Sequence, residues 1–281
     1  MSISRRLWLL ACLLLFLQGC SSTTFVYNRL DFFIPWYIGK YVDLDRPQKA
    51  LLKEELGPFL QWHRRDELPT YLDIIDGITR DLDGEVAPAQ ISATADAFES
   101  AWLRIEARGL EWMLALGEAL SDDQMREFIT SLREKQVEYE EEYLTRTDAE
   151  FHEEVYENLL DSAQDYMGRL DREQRAILQQ AANRMQRSDS YWLQERALWL
   201  DRLENMLQRD EGWQQAVRDS LTEREDNASP EYLAVYEHNS DVIYTALAAL
   251  ANTRTDKQDQ RLRRKLADFR DDIQALIAQG K

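Results

Sequence analysis

Apolar residues in this chain recur three and four apart over most of its length, a rhythm that permits little besides α-helix. Phe98, Trp102, Ile105, Gly109, Trp112 and Leu116 step by 4, 3, 4, 3 and 4. Leu262, Leu266, Phe269, Ile273 and Leu276 keep the same beat, and Tyr232, Tyr236, Asn239, Ile243, Leu247 and Leu250 form a further stripe. Leu178, Met185, Trp192, Trp199 and Met206 return every seven residues, as if along one long helix. Each set falls on one helical face. Only 10 glycines and 6 prolines interrupt 281 residues, and no period-2 run of strand type stands out. The expected fold is all-α, a multi-helix bundle of long amphipathic helices. Predicted helices run over 45–67, 69–83, 88–118, 121–143, 146–168, 171–208, 211–225, 229–252 and 256–279. Pro58, Pro69, Pro88 and Pro230 mark starts or kinks, while Gly84 and Asp226-Asn227 mark stops.

The N-terminus reads differently. Arg5 and Arg6 precede an unbroken apolar run from Leu7 to Leu17, too short to span a bilayer and of signal-peptide length. Leu17-Gln18-Gly19-Cys20 resembles the lipobox read by lipoprotein-processing enzymes, with Gln18 where a small residue is usual. That resemblance implies cleavage before Cys20, acylation of Cys20 (palmitate among the chains), and, with Ser21 rather than Asp next, delivery to the outer membrane facing the periplasm. Three acyl chains make an anchor effectively permanent, where one binds only marginally. The expected divisions are a signal peptide over 1–19, the lipidated cysteine and an aromatic lead-in over 20–43, and a helical periplasmic domain over 44–281.

With Cys12 removed and Cys20 acylated, no thiol remains for a disulfide, a metal or redox chemistry. Loss of Arg5 and Arg6 would move the net charge from −18 to about −20. A surface so acidic repels nucleic-acid phosphates and anionic lipid. Disorder is disfavoured, because 44% hydrophobic and 10% aromatic residues supply ample surface to bury.

Leu44-Asp45-Arg46-Pro47-Gln48, Leu120-Ser121-Asp122-Asp123-Gln124 and Leu170-Asp171-Arg172-Glu173-Gln174 share a pattern with Asp or Ser three residues before Gln. Its physical meaning is an N-terminal capping box. The pattern also resembles the short motifs of Spy/CpxP-type periplasmic helical proteins. A broader resemblance rests on Tyr27-Asn28-Arg29-Leu30-Asp31, Ile34-Pro35-Trp36-Tyr37, Val42-Asp43-Leu44-Asp45, Trp62-His63-Arg64-Arg65 and Glu67-Leu68-Pro69 with Tyr71. These segments resemble an uncharacterised family of proteobacterial lipoproteins carrying a domain of unknown function. It implies no catalytic residues.

The densest polar-aromatic cluster is Trp62, His63, Arg64, Arg65, Asp66 and Glu67. Leu52, Leu56, Phe59 and His63 continue one stripe, and Glu67 sits four residues beyond His63 on the same face. An imidazole beside a carboxylate could be a general base, a pH switch or a metal ligand. The plainer reading is a core-edge histidine bonded to Glu67, with Arg64 and Arg65 pairing acidic helices. His152 has Tyr156 where a zinc-protease helix needs a second histidine, and Leu60, Ala149 and Val235 stand where Glu would precede His63, His152 and His238 by three, so no metal site is expected. Residues 121–161 hold 14 acidic against 4 basic residues, read as a solvated face or one docked on the basic segment 261–265.

The lead-in aromatics Phe25, Tyr27, Phe32, Phe33, Trp36, Tyr37 and Tyr41 either pack into the body or lie in a membrane interface. Packing is the reading adopted, since Asp31, Asp43 and Asp45 would meet anionic head groups. No nucleophile elbow, phosphate loop or dinucleotide fingerprint is present. A non-enzymatic protein-binding, chaperone-like or envelope-assembly role follows, with an envelope protein as partner, no nucleic acid, and no cofactor beyond the lipid on Cys20. The alternative is a cell-wall hydrolase with Glu67 and His63 as acid and base. Self-association through the stripe at 178–206 is a third possibility.

Overall fold

The computed structural model describes residues 20–223 and 228–280. The expected signal segment 1–19 and the stop at Asp226-Asn227 lie outside the described residues. Within them the chain forms α1 (Cys20–Tyr27), α2 (Leu30–Ile38), α3 (Arg46–Trp62), a π turn (His63–Glu67), α4 (Leu68–Asp81), α5 (Pro88–Ala119) and α6 (Asp122–Tyr143). There follow α7 (Asp148–Met167), α8 (Arg172–Arg184), α9 (Asp189–Met206), α10 (Trp213–Thr222), α11 (Pro230–Asn252) and α12 (Asp256–Ala278). The described residues contain no strand, and the fold is all-α.

Capping chemistry starts these helices where the sequence places it. Asp45, Ser121 and Asp171 each accept from the glutamine amide three residues on, whose side chain returns to the cap amide. Thr147 with Glu150 and Thr255 with Gln258 do the same. The glutamines serve a second purpose. Gln48 and Gln124 exchange side-chain hydrogen bonds at 2.8 and 2.7 Å, and each also donates to a backbone carbonyl, Ala119 and Asp43 respectively. Gln174 and Gln258 exchange bonds at 2.9 Å, donating further to the carbonyls of Thr253 and Arg169. Two helix starts are thus clasped together twice, once joining α3 to α6 and once α8 to α12. Buried amides paired this fully satisfy their polar atoms without water.

Besides the π turn at His63–Glu67, two helical features depart from the sequence expectation. The predicted helix over 171–208 is broken between α8 and α9. Met185 leaves helical geometry, and Asn239 of α11 both accepts from the Gln186 amide and donates to its carbonyl, each at 2.8 Å. Arg187 secures the break by donating to the carbonyls of Arg146 and Tyr143. Asn239, a polar residue in an apolar stripe, is there to pair the backbone of this break. Leu178 and Met185 are buried against α7 and α11, so the seven-residue stripe is no continuous surface for self-association. The second departure is the lead-in, which forms two short helices.

Packing follows the stripes. Val42, Leu44, Leu52, Leu56, Leu116, Leu120 and Met125 make one buried cluster, with Ile34 and Ile38 of α2 against it. Leu68, Ile75, Ile273 and Leu276 make another, joining α4 to α12 and receiving Tyr27 from α1. The acidic helix α6 docks on α9, where Arg133 pairs with Asp201 and Glu204. The basic segment 261–265 meets Asp165 of α7 and Asp83 instead of α6.

Candidate functional site

The π turn sits on the sequence cluster. Pro69 in the first turn of α4 has no N–H to give, and its ring disfavours a close carbonyl one turn earlier. The backbone opens by one residue, and the Leu68 amide bonds back to the His63 carbonyl. This widening removes the four-residue register expected between His63 and Glu67.

His63 and Glu67 therefore find different partners. The His63 ring lies among Phe59, Tyr27, Tyr71 and Trp62, with centroids 6.4, 5.7, 5.8 and 6.2 Å away. Its Nδ1 is 2.9 Å from the Tyr27 hydroxyl and its Nε2 is 3.2 Å from the Tyr71 hydroxyl. Burial is the main cause that lowers its pKa to about 4, with the Glu67 charge opposing and the Arg64 charge reinforcing. The ring is neutral above that pH, so one nitrogen donates and the other accepts. Burial also pushes the Tyr27 hydroxyl up to about 12 and the Tyr71 hydroxyl higher still, so both stay protonated.

Glu67 is 2% exposed. Arg104 of α5 grips it with two bonds, Nε to Oε2 at 2.9 Å and a second nitrogen to Oε1 at 2.7 Å. Thr70 donates to the same Oε1 at 3.2 Å. A planar guanidinium matched to a carboxylate in this way is a strong and directional contact. The expected bond between His63 and Glu67 is replaced by these partners.

The arginines divide. Arg64 lies over the Tyr27 ring at 5.0 Å, donates to Asn28 Oδ1 at 2.7 Å and reaches the Leu276 carbonyl at 3.4 Å. Asn28 in turn donates to Gln279 at 2.9 Å. Arg65 is exposed and pairs with its neighbour Asp66, not with another helix. Trp62 packs on Phe59, with the Arg108 guanidinium 5.8 Å from its ring. His152 and His238 lie elsewhere, bonded to the carbonyls of Met185 and Arg184. A shallow groove of about 110 Å³ between α8 and α11, lined by Ile177, Arg184, Val242 and Thr245 among others, does not include His63 or Glu67.

Four of the six cluster residues, Trp62, His63, Arg64 and Glu67, therefore make contacts that bind α1, α4, α5 and α12 to the π turn or pack its flanks. Sequence reasoning missed Tyr27, Tyr71 and Arg104. Tyr71 sits eight residues after His63, a spacing the π turn makes hard to read, while Tyr27 and Arg104 are 36 and 37 residues from their partners.

A family model described as a family of unknown function matches residues 40–233. The chain belongs to the DUF6279 family. The DUF6279 span takes in Trp62, His63, Arg64, Arg65, Glu67, Tyr71 and Arg104, and leaves out Tyr27 and all of α12. Of the segments that carry the broader resemblance, those from Val42 onward fall inside it and Tyr27 to Tyr37 fall outside. No curated protein and no solved structure matches the chain.

Proposed function

We propose that this DUF6279 protein is a lipid-anchored envelope protein, held by acylated Cys20 at the outer membrane facing the periplasm, whose helical domain binds or assembles with another protein and performs no catalysis. One observation carries the non-catalytic reading. Both nitrogens of His63 are taken by tyrosine hydroxyls and both oxygens of Glu67 by Arg104, so neither group has a free atom to offer a substrate. A hydrolase built on Glu67 and His63 would need them at an open cleft, facing a reacting bond. The cluster instead suits a latch that fixes α1 and α12 to the body.

The protein-binding side of the reading is supported by apolar side chains left in water. Val137 of α6 and Leu144, the residue that ends that helix, are 52% and 48% exposed, and Leu198 of α9 is 44% exposed. Photo-crosslinking in cells, with a probe amino acid at Val137 or Leu198 of the full chain, tests it. A discrete protein adduct at one of these positions, absent with a probe at Glu54 of α3, is the expected result. No protein adduct at either position, together with a co-purifying glycan, would contradict it.

A further inference from the structure

Every exposed aromatic side chain among the described residues lies between Phe25 and Tyr37. Phe25, Phe32, Trp36 and Tyr37 are 59%, 61%, 56% and 54% exposed, whereas Phe, Tyr and Trp elsewhere in the described chain are buried or half-buried. Phe32 and Trp36 share one face of α2, four residues apart. Ile34 and Ile38 occupy the other side and pack on the core cluster beneath. The expectation that the lead-in aromatics pack into the body thus holds for Tyr27 and Tyr41, which touch His63 and Phe128, and fails for these four.

We infer that α1 and α2 form a foot that rests in the interfacial layer of the bilayer itself, with Phe25, Phe32 and Trp36 entering the head-group region. The inference rests on the lipid anchor proposed above. Three observations choose a lipid surface as the occupant. The first is position: Cys20, the acylated residue of the proposed anchor, is the first residue of α1. At about 1.5 Å of rise per residue, Phe25 is only about 7 Å along the helix from Cys20. The second is side-chain chemistry. Lys40 lies 4.1 Å from the Trp36 ring and Arg29 lies 5.6 Å from the Phe25 ring, so two of the outward aromatics carry a cation beside them. Aromatic rings paired with snorkelling cations are the composition of interfacial anchors.

The third is charge. On a chain of net charge −18, residues 20–41 carry Arg29 and Lys40 against Asp31 alone. Of the three acids that argued against a membrane contact, Asp31 alone lies within the foot; Asp45 caps α3, and the exposed Asp43 lies 3.9 Å from Lys49 beyond it. A spanning role is excluded by length, since α1 and α2 have 8 and 9 residues where a span needs about 20. The foot lies on the membrane.

The test uses the full chain carrying Cys12→Ala, expressed in cells, purified and reconstituted in vesicles of phosphatidylethanolamine and phosphatidylglycerol. A nitroxide is placed at Phe32→Cys or Trp36→Cys, with Leu198→Cys as the control. Relaxation by oxygen, which concentrates in lipid, is compared with relaxation by a water-soluble nickel chelate. A clickable palmitate analogue reports acylation of Cys20 separately. Labels at 32 and 36 are expected to relax several-fold more with oxygen relative to nickel than the label at 198. An acylated protein whose labels at 32 and 36 match the control would overturn the foot and leave the anchor standing. Absence of acylation would overturn the anchor, and the labels would then judge the foot alone. Labels shielded from both relaxers would mean that a protein covers this face, which also overturns the assignment to lipid.

Discussion

His63 is held neutral by its surroundings, and that gives the domain a definite pH dependence. Its pKa falls from 6.5 to about 4 on folding, chiefly through burial. Between those values the unfolded chain binds a proton that the folded one refuses, so stability is fully present above about pH 6.5 and declines as pH falls through this window. The contribution at stake is about 3 kcal/mol at most. Denaturant unfolding at neutral and mildly acidic pH, for the wild type and His63→Phe, isolates it from the titration of carboxylates common to both. The variant is expected to be less stable at neutral pH, because two tyrosine hydroxyls lose a partner, yet to lose less stability on acidification. Equal losses in the two proteins would show that His63 is not held neutral. At this scale the sequence identified the cluster but not its wiring. Nothing in the spacing of Trp62 to Glu67 points to Arg104 or Tyr27, because both contacts are made by chain folding back from a distant helix.

Element boundaries were far more legible, because capping is local chemistry. Asp45, Ser121 and Asp171 with their glutamines announce α3, α6 and α8 within a residue or two. The break at Met185 to Ser188 was not legible. Its cause is Asn239, more than fifty residues away, which supplies the hydrogen bonds that a continuous helix would have supplied itself. The π turn was hidden for a related reason: Pro69 signals a helix start, and a start was read, but the chain bends through without a gap. The glutamine clasps also need tertiary knowledge, and they carry a sharp expectation. Gln174 is fully buried, and its removal strands the Asp171 amide and the Thr253 carbonyl and takes two hydrogen bonds from the Gln258 side chain. Gln174→Ala should therefore cost about 2–4 kcal/mol in denaturant unfolding. Gln215→Ala, which breaks only an exposed contact to Asp219, should stay within about 0.5 kcal/mol of wild type. Similar costs for the two would mean that the clasp is no more than a surface contact.

On the scale of the molecule, the π-turn cluster is where α1 and α12 meet. Tyr27 and Asn28 at the end of α1, and Leu276 and Gln279 at the end of α12, converge on His63 and Arg64. An anchor at Cys20 would pull on α1, and this latch would pass the load into α4, α5 and α12 instead of letting α1 peel away. Composition and periodicity made the all-helical class plain, since a stripe needs only a face to bury. Which helices meet was not legible, because every stripe is equally apolar and no spacing names its partner. The most direct test of a structural latch is amide hydrogen exchange on the full chain and its His63→Ala variant, read peptide by peptide by mass spectrometry. The expected result is faster exchange confined to α1, the π turn and the last turns of α12, with α7 to α11 unchanged. Exchange unaltered in α1 and α12 would show that the cluster holds nothing in place, and would return His63 to the candidates for chemistry.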